Sequence, residues 1–236
     1  MEAFRMTTTS SPTILLVHGA WADGSSWQRV IPILLEAGHK VVAVQNPTQS
    51  LAGDVAATRQ ALDAVDGPVV LVGHSWGGAV ITEAGNDPKV KALVYVAAFA
   101  PAAGEALGPL VGKYPNPPAL GKIHDDGKGN LTLSAEGWVE DVANDLPEAE
   151  ARVLAVLQPP LPASTFGDVI GQVAWEKVPS WYIVSTEDRV VSVDLEREFA
   201  ARMKATTTEL AAGHLSLLSQ PEAVAKVILE AAASVA

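Results

Sequence analysis

Val69-Val70-Leu71-Val72-Gly73-His74-Ser75-Trp76-Gly77-Gly78 is an apolar, β-branched run that feeds Gly-x-Ser-x-Gly and continues into a helix-compatible stretch, Ala79 to Ala84. The pattern predicts a strand, a sharp turn and a helix. A turn of this kind lifts a serine hydroxyl above the carboxyl edge of a parallel sheet, and glycines flank it because side chains there would strike neighbouring backbone. Ser75 is the candidate nucleophile. Three fixed positions recur by chance in many chains, so the weight of the motif comes from the buried strand before it and the helix after it.

Outward from this stretch, strands and helices alternate. Thr13 to His18 is a short, continuously apolar run, as expected of a strand covered on both faces. Trp27, Val30, Ile31, Leu34 and Leu35 recur at helical spacing and are closed by Gly38, with Pro32 starting or bending the helix. Lys40 to Val44 predicts a strand, Leu51 to Val65 an amphipathic helix, and Ala92 to Ala97 another strand. The alternation stops over residues 101–175, which hold nine of the 16 prolines, a Gly-rich turn at 125–130 and two candidate helices, 135–142 and 147–157. So long a connection predicts an inserted cap, with residues 13–100 and 176–236 as the core. Alternation resumes with a strand at 180–185, a helix near 195–203, a short strand at 207–210 and a last helix that opens on a capping-box pattern, Ser219-Gln220-Pro221-Glu222. The fold class is therefore α/β, a mostly parallel doubly wound sheet with right-handed crossovers and an inserted cap.

The chain has 236 residues, is 48% hydrophobic, and carries 16 basic against 27 acidic residues for a net charge of -11. Such a charge repels phosphate backbones and anionic membranes, so neither nucleic acid nor a membrane surface is an expected partner. A homodimer remains open. With no cysteine, disulfides and thiolate chemistry are excluded. Residues 1–11 lack the apolar core of a signal peptide, and no stretch has the length of a membrane span, so the expectation is a soluble cytoplasmic protein.

A serine hydroxyl needs a base within hydrogen-bond reach. Of five histidines, His39 lies in a turn, His124 in the insertion, and His74 beside the serine, where the turn directs it elsewhere. His18 closes the first strand and can hold the neighbouring loop. His214, in Gly213-His214-Leu215 after the last strand, emerges at the same edge as Ser75 and is the candidate base. A carboxylate must fix its tautomer. Ser185-Thr186-Glu187-Asp188-Arg189 offers two acids just past a strand end, and spacing alone does not separate Glu187 from Asp188; Arg189 is either a partner of one of them or a solvated surface charge. Backbone N–H groups of Trp76 and of Ala20, after Gly19, are the expected oxyanion donors. The chemistry needs neither cofactor nor metal, and Asp/His clusters at ligand spacing are absent from the sequence.

His18-Gly19-Ala20-Trp21, Gly73-His74-Ser75-Trp76-Gly77-Gly78, Thr186-Glu187-Asp188-Arg189 and Gly213-His214-Leu215-Ser216 together resemble the motifs of α/β-hydrolase-fold serine esterases, in the branch that holds small bacterial esterases, plant methylesterases and hydroxynitrile lyases. The resemblance implies Asp188 rather than Glu187 as the acid, and supports Ala20 and Trp76 as donors. It also implies a departure from the lyases, which carry a threonine and a lysine where this chain has Gly19 and Leu215. The expected function is hydrolysis of a small-molecule carboxylic ester through an acyl-enzyme. The alternatives are a lactone or C–C bond hydrolase using the same three residues, or a small-molecule receptor in which the triad is vestigial.

The insertion carries ten acids to four bases, which disfavours polyanionic substrates. Trp21, Phe99, Trp138, Trp175 and Leu215 are the expected apolar pocket residues, with Trp27, Leu107, Leu157 and Phe166 as further candidates. The expected substrate is a small neutral apolar ester with a short to medium acyl group.

Overall fold

The computed structural model describes residues 11–235; residues 1–10, where most of the segment lacking a signal-peptide core lies, and Ala236 fall outside them. The first strand, β1 (Thr13–Val17), is buried at every position, which explains its unbroken apolar run. A 3-10 turn over Gly24–Trp27 leads to α1 (Val30–Glu36), so Pro32 falls in the first turn of that helix, where a missing N–H removes no intrahelical bond. Then follow β2 (Val41–Val44), α2 (Leu51–Asp63), β3 (Val69–His74), α3 (Trp76–Ala84) and β4 (Val90–Val96).

The insertion contributes α4 (Leu107–Val111), a small antiparallel sheet of β5 (Ile123–Asp125), β6 (Asn130–Leu133) and β7 (Leu161–Pro162), and between its strands α5 (Ala135–Gly137) and α6 (Glu148–Leu157). The candidate helix at 135–142 is divided: α5 gives way to a π-helical turn over Trp138–Val142. The chain returns through β8 (Ser180–Ser185), α7 (Val193–Met203), β9 (Thr206–Leu210), α8 (Ser216–Ser219) and α9 (Pro221–Ala233). The expected capping box does not form. Ser219 closes α8 instead, and Gln220 precedes α9 without a side-chain cap bond.

Six strands run in the order β2-β1-β3-β4-β8-β9, and every neighbouring pair is parallel. Alternate residues of each strand enter two apolar clusters. Leu15, Val17, Val69 and Leu71 join α2, α3 and α7, whereas Ile14, Leu16, Val70 and Val72 join α1 and α9. The helices after β1 and β3 thus lie on opposite faces of adjacent strands. This opens a crevice at their carboxyl ends, the place where open α/β sheets bind ligands. The register Val17↔Gly73 brings the loop after β1 directly beside the turn that carries Ser75.

The middle of the insertion packs on the α1/α9 side through Leu133, Trp138, Val142, Ala151 and Leu161. Its two ends do not roof the crevice; Leu107, Leu110, Ile170 and Val173 pack beside α3 and α7. No helix among the described residues is long and apolar enough to cross a membrane.

Leu71 is wholly buried at the centre of the sheet, whereas Val153 on α6 is more than half exposed. Leu71→Ala should lower the unfolding free energy in urea by about 2–5 kcal/mol, while Val153→Ala should change it by less than about 0.5 kcal/mol.

Candidate active site

Between β3 and α3 the backbone turns within one residue, with Ser75 at φ 52°, ψ -121°. A non-glycine residue in this region stores strain, so its surroundings must hold it there. Ser75 N–H donates to Val96 O at 3.2 Å, and Ser75 O accepts from Gly78 N–H at 3.0 Å and Phe99 N–H at 3.1 Å. The glycines are required by contact rather than by φ. A Cβ on Gly77 would stand 2.5 Å from Val17 O, and one on Gly78 would stand 2.3 Å from Phe99 O. Trp76 locks the turn from the other side, its Nε1–H donating at 2.7 Å to Asp54, a carboxylate fully buried on α2 that also accepts from Thr48 N–H at 2.8 Å. Burial raises the Asp54 pKa, and these two donors oppose the rise.

Asp188 and His214 meet across the ends of β8 and β9. His214 Nδ1 lies 2.6 Å from Asp188 Oδ2, and Asp188 Oδ1 accepts from Val190 N–H at 2.7 Å and Val191 N–H at 2.9 Å. An acceptor at Nδ1 puts the ring proton there and leaves Nε2 free for a proton from elsewhere. Glu187 takes no part in this contact. Arg189 pairs with neither expected carboxylate: its Nε lies 2.7 Å from Asp141 of the insertion, a buried carboxylate that Lys122 also reaches at 3.0 Å.

His18 and His74 hold backbone. His18 Nε2 accepts from Asn46 N–H at 3.0 Å, so Nδ1–H donates to Gly19 O at 2.8 Å, and burial lowers the pKa of the ring. His74 Nε2–H donates to His214 O at 2.9 Å, and its ring packs on that of His214 with centroids 4.7 Å apart. Burial, and then the neighbouring His214, keeps its pKa well below the usual histidine value. Two insertion residues that no sequence motif flagged complete the support: Asp145 accepts from Gly213 N–H at 2.7 Å, and Asn144 Nδ2 donates to Glu187 O at 3.2 Å.

Ser75, His214, Ala20, Trp21, Trp138 and Leu215 line one cavity of about 20 Å³, about the room one water molecule needs. Ser75 Oγ forms no hydrogen bond among the described residues; it shares the cavity with the His214 ring without bonding to it. Trp76 N–H stands at the first turn of α3, where no intrahelical acceptor exists. In the loop after β1 the positive φ falls on Trp21, at 55°, while Gly19 is a point of close approach, since a Cβ there would lie 2.9 Å from Ser75 Cβ. Trp21 also ties the loop to the insertion, Nε1–H donating to Leu131 O at 2.8 Å.

Two expected pocket residues lie elsewhere. Phe99 packs edge-on against Phe199 with centroids 6.3 Å apart, and Trp175 bonds to Pro101 O beneath the Arg202 guanidinium. Both belong to the α2/α3/α7 face. Trp27 is wholly buried behind His74. Leu157 reaches a neighbouring cavity of about 30 Å³ that shares Trp21 and Trp138 with the first.

A parallel sheet with a strained strand-to-helix turn and a histidine–carboxylate contact at its carboxyl edge is the arrangement of an α/β hydrolase. The model of the alpha/beta hydrolase family matches residues 14–227, and the chain belongs to that family as a hydrolytic, esterase-like enzyme. A pyrethroid hydrolase of Sphingobium wenxiniae is 28% identical over 247 residues, spanning 92% of this chain and 86% of the relative. Methylesterase 2 of Arabidopsis thaliana is 26% identical over 214 residues, spanning 78% and 81%. The crystal structure of a pyrethroid hydrolase from Sphingobium faniae shares the fold with a TM-score of 0.81 at 24% identity, covering 94% of this chain and 97% of that one.

Asp54→Ala would leave two buried donors, Trp76 Nε1–H and Thr48 N–H, without acceptors. Each orphan costs about 1–3 kcal/mol, so stability should fall by about 3 kcal/mol in urea denaturation. Turnover of the folded fraction should fall too as the turn loosens.

Proposed function

We propose that the protein is a carboxylic-ester hydrolase in which Ser75, His214 and Asp188 act as nucleophile, base and orienting acid. The observation that carries this reading is the 2.6 Å contact of His214 Nδ1 with Asp188 at the cavity that the strained Ser75 faces. Ser75 Oγ attacks the ester carbonyl carbon while His214 Nε2 takes its proton; the new oxyanion is held by the N–H groups of Ala20 and Trp76. Collapse breaks the bond to the alcohol, which leaves with the proton from His214. Water, deprotonated by the same nitrogen, then releases the acid and restores Ser75. Asp188 keeps the imidazole in one tautomer and stabilises the imidazolium.

In this reading the middle of residues 101–175 serves as the cap, and the substrate is a small, neutral, apolar ester. The apolar lining by Trp21, Trp138, Val142 and Leu215 supports it, as do relatives named as pyrethroid hydrolase and methylesterase. Leu215 also weighs against a lyase reading, since it puts an aliphatic side chain in the cavity where the resemblance places a lysine. A cavity of about 20 Å³ admits no ester. In this reading Trp138 and Trp21, which also border the neighbouring cavity, are the walls that yield to the acyl group.

Hydrolysis of p-nitrophenyl acetate, butyrate and octanoate should drop by about 10⁴-fold or more in Ser75→Ala, together with loss of fluorophosphonate labelling; equal turnover by the two proteins would refute the mechanism. Trp138→Ala should shift preference toward the longer acyl chains, whereas Trp175→Ala, on the far face, should leave chain-length preference as it is. A marked preference for a dicarboxylate half-ester would contradict the neutral-substrate assignment.

A further inference from the structure

A second carboxyl group, which no motif singled out, lies beside the acid of the site. Glu196, in the first turn of α7, is completely buried. Its Oε2 accepts from Ser185 N–H at 3.1 Å, and its Oε1 is buried without a donor among the described residues. Ser185 O accepts from Asp188 N–H at 3.1 Å, so residues 185–188 form a tight turn with Glu196 gripping its first N–H. The shared turn sets the Glu196 carboxyl close enough to Asp188 for the charge of that carboxylate to act on it.

Two anions cannot share this space. The groups that face Glu196 offer little counter-charge: His214 is engaged with Asp188 Oδ2, Tyr182 Oη donates to Ala98 O, and Arg197, whose charge lowers the Glu196 pKa less than the Ser185 N–H does, is paired outward with Glu209 and Asp194. An ionised carboxylate only accepts hydrogen bonds, whereas a protonated one has an O–H to donate. As an acid, Glu196 satisfies both of its oxygens: the carbonyl takes the Ser185 N–H, and the hydroxyl turns to Asp188. We propose that Glu196 is a positioning residue, a neutral carboxylic acid whose O–H donates to Asp188 and fixes the carboxylate plane that orients His214. The inference rests on the reading of Ser75, His214 and Asp188 as the catalytic set. Burial, and then the charge of Asp188, hold the Glu196 pKa well above the usual carboxylate range, in keeping with that role.

The test compares wild type with Glu196→Gln, Glu196→Leu and Ser75→Ala. Glutamine keeps one acceptor and one donor in the same shape, so it should retain kcat within about threefold. Leucine removes the donor and should lower kcat by about 10–100-fold with KM little changed. Infrared spectroscopy near neutral pH should show the C=O stretch of a buried protonated carboxylic acid in wild type and in Ser75→Ala, and its loss in Glu196→Gln.

Stability gives a third readout. The unfolded chain ionises Glu196 above a pH of about 4.3, while the folded chain keeps the proton. Folded protein then binds more protons than unfolded, so stability falls as pH rises from that value toward the folded pKa. Glu196→Gln removes this penalty and should raise Tm at about pH 8 but not at about pH 4. Absence of the infrared band in wild type would overturn the inference, as would a glutamine variant as impaired as the leucine one, or a leucine variant with full kcat. Full activity in Ser75→Ala would instead refute the catalytic set, and the band, which needs no turnover, would still report on Glu196.

Discussion

The left-handed backbone of Ser75 is the constraint on which the rest of the structure depends. Such a conformation is unfavourable by about 1–3 kcal/mol for a non-glycine residue, so it persists only where the surroundings over-determine it. Here three backbone hydrogen bonds converge on Ser75 from β4, from the segment after β4 and from α3. The first turn of α3 is pressed so tightly against β1 and Phe99 that Gly77 and Gly78 have no room for a methyl group. The same closeness dictates Gly19 one strand away. Strain at one residue thus fixes composition at positions more than fifty residues apart.

Sheet order carries this constraint outward. Because β1 and β3 are neighbours with helices on opposite faces, the loop after β1 has nowhere to go but over Ser75, and β8 and β9 deliver Asp188 and His214 to the same edge. The insertion then does more than cover. Asp141 grips Arg189, Asn144 grips the carbonyl of Glu187, and Asp145 grips the N–H of Gly213, so one short segment of it holds both the acid loop and the histidine loop.

What the sequence disclosed divides along a physical line. Buried parallel strands read as unbroken apolar runs, and a turn that needs glycine shows its glycines, so the sheet, the serine turn and the order of the strand-end residues were legible. Asp188 and Glu187 were not separable by spacing, because both follow the same strand end; resemblance favoured the first, and only Asp188 meets His214. Phe99 misled because a strand end says nothing about which face a side chain joins, and Trp175 because an apolar residue of the insertion declares its face no better. Asp54, Asn144, Asp145 and Glu196 escaped because each is an ordinary helix or loop acid or amide until its partner, 22 residues away for Asp54 and 68 for Asp145, is known. The capping-box pattern failed for a related reason: α8 had already claimed Ser219.

A site so tightly held meets a conflict between chemistry and access. Oxyanion donors act most strongly where water is excluded, and Trp21 and Trp138 exclude it, leaving about 20 Å³ beside Ser75. The supports are unevenly distributed. Trp138 begins the π-helical turn whose far end is fixed by Asp141, yet its own Nε1–H has no acceptor among the described residues, so nothing polar holds the ring over the serine. Trp21 has one such tie, to Leu131 O, on a residue whose φ is already strained. The loops that carry Asp188 and His214 are bound through several contacts each, whereas the two rings above them are bound through one and none. Under the proposed mechanism, the least anchored parts of the site are therefore those that an entering ester would displace, while the loops that carry Asp188 and His214 would stay in place.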